Sequence, residues 1–290
     1  MSKSVFVFLA ALVGAVLLPT AYGEARNLPN RVRWEYVPPK NPAHEALAAQ
    51  LREAKVLERL SEFLSPLRLP YRLTLRLAGC DGDANAYYED DVVTVCYEYL
   101  EYVQKSAPSP AEAEKLGISS KTALVGPTVD VFLHEVGHAV FDILKIPVLG
   151  REEDAADLFS AYLLLQFSPE DARKLILGVA FLGAKDSREA QKEGLSVKSF
   201  ADEHGLPAQR YFNVLCMAYG EDPKTFADAL TRGRLPKERA EGCADEYKQV
   251  QRAFNRLIRP YVSQKRARRV RAKRWFKFDA DASAADGKPR

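Results

Sequence analysis

Histidine is scarce in this chain. Only His44, His134, His138 and His204 occur in 290 residues, so any imidazole site has few candidates. Cysteine is as rare. Cys80, Cys96, Cys216 and Cys243 include no C-x-x-C pair, which excludes a zinc knuckle or a dithiol redox centre. After residue 23 no apolar run approaches the ~20 residues of a membrane-spanning helix. No internal repeat is visible, so a solenoid is excluded. Positive charge is also short over most of the chain. The net charge is +3, but residues 263–290 alone carry ten Lys/Arg against three Asp, which leaves the body mildly acidic. Nucleic acid is therefore not an expected partner, and the basic segment is expected either to contact an anionic envelope surface or simply to be solvated.

Apolar material is plentiful. Hydrophobic residues make up 47% of the chain, with 14 Phe and 13 Tyr, enough for a packed core. The first residues, MSKSVFVFLAALVGAVLLPTAYG, place one Lys before a short apolar run, then Pro and small residues. That layout predicts a secretory signal peptide over residues 1–23, removed on export to a periplasmic or secreted location, with an uncleaved anchor as the alternative. Four Cys on an exported chain allow disulfides. Three pairings are open, and local closure favours Cys80–Cys96 and Cys216–Cys243. One domain is expected over residues 24–262. Residues 263–290 show no core-forming pattern and are expected to lack structure.

Residues 26–44 read as Pro-rich and irregular, with His44 on the surface. Leu47, Leu51, Leu57, Leu60 and Phe63 recur at helical spacing and predict one amphipathic helix that ends before Pro66. YRLTLRLAGC alternates as a strand does. NAYY and VVTVCY read as a hairpin turning at EDD, followed by a helix through EYLEYVQKS. From HEVGH to about residue 260 the pattern is mostly helical.

The scarce histidines concentrate the chemistry. His134 and His138, in HEVGH, are four apart and share one helix face. Both can point imidazole nitrogens at one zinc ion. Glu135 lies between them and can serve as general base toward a metal-bound water. Catalytic zinc takes a third protein ligand and keeps one position open. GREEDAAD, residues 150–157, offers it. Glu153 can ligate, and Asp157, four residues on, can accept the outer N–H of His134. Glu152 diverges from Glu153 by about 100° and is expected to play no part. An ordinary acidic first helical turn is the competing reading of this stretch. Gly137 and Ala156 are small enough to let the two helices approach.

HEVGH followed by Glu153-x-x-Ala156-Asp157 resembles the gluzincin metallopeptidases, whose third ligand is a glutamate on a second helix. The E-x-x-A-D form is most similar to the HtpX and CAAX-protease group, although those enzymes are membrane-embedded. Residues 70–260 as a whole resemble a bacterial domain-of-unknown-function family described as metallopeptidases. The resemblance implies a zincin-like α+β fold, with a small early antiparallel sheet whose edge strand lies beside the active-site helix and a mostly helical C-terminal part. Asn85 and Ala86 are similar to the Asn-Ala pair on the gluzincin edge strand, which implies that they bind an extended peptide. His204 and Arg210 are similar in spacing to the H-x5-R segment of the HtpX group and imply oxyanion stabilisation, although Gly205 replaces the usual Pro.

These readings converge on an exported zinc peptidase acting on peptides or proteins. Two alternatives stay open: a zinc amidase for a non-protein, cell-wall amide, and a zinc-binding interaction protein without turnover.

Overall fold

A computed structural model of the protein describes residues 31–276. The expected signal peptide and residues 277–290 of the basic segment lie outside the described residues.

Strand-forming sequence is confined to the first third. β1 (Val32–Tyr36), β2 (Leu73–Ala78), β3 (Ala86–Glu89) and β4 (Val92–Cys96) form one sheet in the order β1-β2-β4-β3. In β2, Leu73, Leu75 and Leu77 are fully buried and alternate with half-exposed residues, the period of two that puts one strand face on a core. β4 is central and buried from Val93 to Cys96. The β3–β4 hairpin turns at Asp90 and Asp91, whose φ values of 50° and 62° are left-handed. Short polar side chains tolerate that conformation in a tight turn. Ala86 pairs with Val95 and Tyr88 with Val93.

The α+β architecture agrees with the expectation, but the sheet is mixed rather than antiparallel. Only β3–β4 is antiparallel, whereas β1–β2 and β2–β4 are parallel. The sequence concealed β1, because of its five residues only Val32 is fully buried and no alternation shows. Parallel strands need a helical crossover, and α1 (Glu45–Glu53) and α2 (Val56–Phe63) supply it. They replace the single helix expected there, because Lys55 adopts φ 53° and breaks the chain between them. His44, expected on the surface, is 2% exposed. It lies 3.7 Å from Glu101 and packs near the Tyr97 ring.

The rest is helical: α3 (Tyr97–Ser106), α4 (Pro110–Leu116), α5 (Ser120–Ile143), α6 (Glu152–Leu164), α7 (Pro169–Glu193), α8 (Val197–Ala201), α9 (Pro207–Glu221), α10 (Asp228–Thr231), α11 (Lys237–Ala240), α12 (Cys243–Leu257) and α13 (Gln264–Arg271). α5 is apolar on most of its circumference, as a helix at the centre of a core must be. It packs on α6, α7 and the β3–β4 hairpin. Two close approaches fix its position. A Cβ on Gly178 of α7 would lie 2.2 Å from the Thr122 carbonyl oxygen, and one on Gly126 2.5 Å from that of Leu175. Further along, a Cβ on Gly137 would meet the Ala156 Cα at 3.2 Å, so α6 crosses α5 within the HEVGH turn.

Both cysteine pairs form disulfides. Cys80–Cys96 ties the loop after β2 to the end of β4, and Cys216–Cys243 ties α9 to α12. The basic segment folds further than its charge suggests. α13 buries Val270, and Trp275, 6% exposed, packs edge-on against the stacked rings of Phe63 and Phe167. Lys273 pairs with Glu62 and Arg274 with Glu170, so acidic residues of the body neutralise part of the run. The expected boundary at residue 262 thus falls inside the packed structure.

Candidate active site

α5 presents His134 and His138 one turn apart, and the crossing at Gly137 and Ala156 brings the first turn of α6 against them. Donor atoms of four residues meet there. The Nε2 atoms of His134 and His138 are 3.3 Å apart. Glu153 Oε2 lies 3.0 Å from His134 Nε2, and its Oε1 lies 3.4 Å from His138 Nε2. His204, in the loop before α9, reaches the same carboxylate, its Nε2 2.9 Å from Glu153 Oε2. His134, Glu153 and His204 alone form a group whose donors lie within 4.8 Å of one another and could hold a metal ion. Imidazole nitrogen and carboxylate oxygen at this spacing are the donor set of a transition-metal centre.

Each imidazole has its own carboxylate behind it. His134 Nδ1 is 2.9 Å from Asp157 Oδ1, and His138 Nδ1 is 2.9 Å from Glu152 Oε1. Such partners fix ring orientation and tautomer. Glu152, expected to play no part, is a contact of the His138 ring that sequence reasoning missed. Successive helix positions diverge, so Glu153 faces the Nε2 atoms of both rings while Glu152 reaches His138 from its Nδ1 side. Asp157 is itself held by Arg210, through Nε to Oδ2 at 2.7 Å and Nη2 to Oδ1 at 2.6 Å. Both Arg210 bonds are spent on this pair. Arg210 thus holds the Asp157 carboxylate in place.

The electrostatics follow from crowding acids around buried imidazoles. Burial alone would lower the His134 pKa, but the bonds to Asp157 and Glu153 overcome it and raise the value to about 9. The same His134 bond holds the Glu153 carboxyl down at about 2. Burial works against ionisation of Asp157 as well, and His134 with Arg210 more than offsets it. Glu135 has no such bond among the described residues, and burial pushes its carboxyl up.

Asn85 precedes and Ala86 begins β3, the edge strand beside α5. The Asn85 carbonyl accepts from Cys96 N–H at 3.1 Å, and the Tyr88 hydroxyl donates to Asp142 of α5 at 2.9 Å, which moors the edge strand to the histidine helix. The structure thus brings His134, Glu135, His138, Glu153, Asp157, His204 and Arg210 into one cluster, with Asn85 and Ala86 on the strand alongside.

Two imidazoles and a carboxylate on crossing helices, with a buried glutamate in the same helical turn, define a site of the metallopeptidase class. The chain belongs to the family described as "Putative metallopeptidase" (DUF4344), whose model matches residues 36–258. No curated protein and no solved structure matches it. Membership implies a metal ion and peptide or protein substrates. No helix among the described residues is long and apolar enough to cross a membrane.

Proposed function

We propose that this protein is an exported zinc peptidase that hydrolyses peptide bonds with Glu135 as general base. One observation carries the reading: His134, His138 and Glu153 converge within 3.0–3.4 Å of one another, and buried Glu135 follows directly on His134. These three residues would hold the metal. Bound zinc would supply a Lewis acid and a water acidified to a pKa of about 7. Glu135, its carboxyl raised by burial, takes the proton from the attacking water and delivers it to the leaving amine. Asp157 and Glu152 keep the Nδ1–H of each ligand imidazole pointed outward, so that Nε2 faces the metal. Arg210 keeps Asp157 ionised. His204 donates toward the oxyanion that develops on the carbonyl. The outer edge of β3, from Asn85 and Ala86 onward, pairs with the extended substrate backbone. The N-terminal signal pattern and two disulfides support export.

The test is a diverse peptide mixture incubated with the purified protein, with and without a chelator, and with the Glu135→Gln variant. Chelation should abolish cleavage. Glu135→Gln should keep its metal content and lose about 10²–10⁴-fold in rate. Full activity in that variant would overturn the mechanism.

A further inference from the structure

Three imidazoles face the donor cluster, and all three are held in the same way. His134 and His138 each turn Nε2 inward while a carboxylate stands behind Nδ1, Asp157 at 2.9 Å for the first and Glu152 at 2.9 Å for the second. His204 repeats the pattern. Its Nε2 lies 2.9 Å from Glu153 Oε2, the same oxygen that His134 Nε2 approaches at 3.0 Å. Behind the ring, Asp202 Oδ1 lies 3.4 Å from His204 Nδ1 and accepts from the His204 backbone N–H at 2.9 Å. A carboxylate at the outer nitrogen is what orients a metal-ligating imidazole. A surface histidine that merely hydrogen-bonds to Glu153 needs no such backing. The backbone is fitted to this position as well. Arg151 Nη1 donates to the His204 carbonyl at 3.4 Å, and a Cβ on Gly205 would lie 3.3 Å from Asp154 Oδ1. Arg151 and Asp154 flank Glu153 at the start of α6, so one helix end places both Glu153 and the histidine that meets it.

Little else holds His204 down. It closes a strap, residues 194–206, that runs from the end of α7 to the start of α9. α8, within the strap, buries no residue, and Leu195, Val197 and Phe200 stand in solvent. The His204 side chain is 43% exposed, against 7% for His134 and 14% for His138. Segments with few buried apolar contacts open at low free energy. Displacement also needs space, and a cleft of about 490 Å³ borders the strap at Leu195, Ser199, Asp202 and His204. Two imidazoles are thus fixed on a buried helix, and the third is carried by a loosely packed wall.

We propose that His204 is a third imidazole ligand of the metal in the resting protein, and that the strap carrying it is a latch which substrate displaces. The inference rests on the zinc-peptidase reading and deepens it by assigning a regulation to that site. With the strap docked, His134, His138, Glu153 and His204 together make the four-ligand set of a closed zinc site, which has no position open to water. Substrate binding draws the strap aside. The freed ring then stands beside the site, where it serves the oxyanion.

The test reads the surroundings of the metal rather than turnover. X-ray absorption at the zinc edge counts imidazoles by the scattering of their outer ring atoms. The zinc-loaded wild type should show three, and zinc-loaded His204→Ala two. Two in the wild type would overturn the proposal. In a chelator competition, Asp202→Ala, which removes the carboxylate behind the ring, should weaken zinc binding by about 10-fold, and His204→Ala by at least as much. Unchanged affinity in His204→Ala would overturn the ligand role. The latch is read on the Glu135→Gln protein with a saturating casein digest that the wild type cleaves. The count should fall from three to two, and a count that stays at three would overturn the latch while the peptidase reading stands. A protein that binds no zinc would overturn both.

Discussion

Trp275→Ala separates a packed C-terminal segment from a merely charged one. The Trp275 ring is 6% exposed and meets Phe63 and Phe167 edge-on, with centroids 5.8 and 6.2 Å away. Its Nε1–H donates to the Val270 carbonyl at 2.9 Å, and the Lys273 ammonium sits 4.4 Å from the ring centroid. A buried aromatic hides about 150–250 Å², and at about 25 cal/mol per Å² that is about 4–6 kcal/mol. Residual burial in the unfolded chain trims this to about 3–5 kcal/mol, the same range as measured Trp-to-Ala cavities, about 3–5 kcal/mol. At about 2–4 °C per kcal/mol for a chain near this size, the melting temperature should fall by roughly 10 °C. Urea titration followed by circular dichroism reads the free energy directly. Metal content measured well below the transition should match the wild type, because Trp275 touches none of the donor residues. A loss under about 1 kcal/mol would show that the tryptophan does not anchor the segment, and the packing argument for α13 would fall with it.

Three further outcomes follow from the same contacts. Glu153→Ala should lose the metal, and Glu152→Ala, by releasing His138 Nδ1, should weaken metal affinity about 10–100-fold in a chelator competition; wild-type affinity in Glu152→Ala would deny it the ring-orienting role. Replacing Cys80 and Cys96 together by Ser opens a bridge with a sequence separation of 16 and should cost about 3 kcal/mol in denaturant titration, so unchanged stability would mean that the bridge constrains nothing. Gly178→Ala places a methyl 2.2 Å from the Thr122 carbonyl oxygen, which forces α5 and α7 apart. A loss of about 1–3 kcal/mol or more is expected by thermal melting, and an unperturbed melt would mean that the two helices are less closely packed.

The local signals were legible because they depend on short spacings. Four residues separate His134 from His138, and helix geometry alone puts both on one face. Alternation in LTLRLA marks β2, and two turn-forming aspartates mark the β3–β4 hairpin. An even count of cysteines with two short closures suggested the bridges that form. The same spacing logic placed Glu153 and Asp157 on one helical face, and it needed no knowledge of how α6 meets α5.

Tertiary structure decided whatever depends on which surfaces meet. Glu152 and Glu153 differ by one position, and only the crossing at Gly137 and Ala156 assigns one to His138 Nδ1 and the other to the converging Nε2 atoms. Arg210 lies 53 residues from Asp157 in sequence, and no local pattern announces that they pair. β1 hid in Pro-rich sequence because a half-exposed edge strand needs no apolar alternation, and its parallel pairing arises from a crossover. The basic segment misled for a related reason. Charge density describes how a stretch interacts with water, whereas Trp275 folds it by packing edge-on against the stacked rings of Phe63 and Phe167. Composition records which groups are present. Burial depends on the complementary surface, and that surface comes from a distant part of the chain.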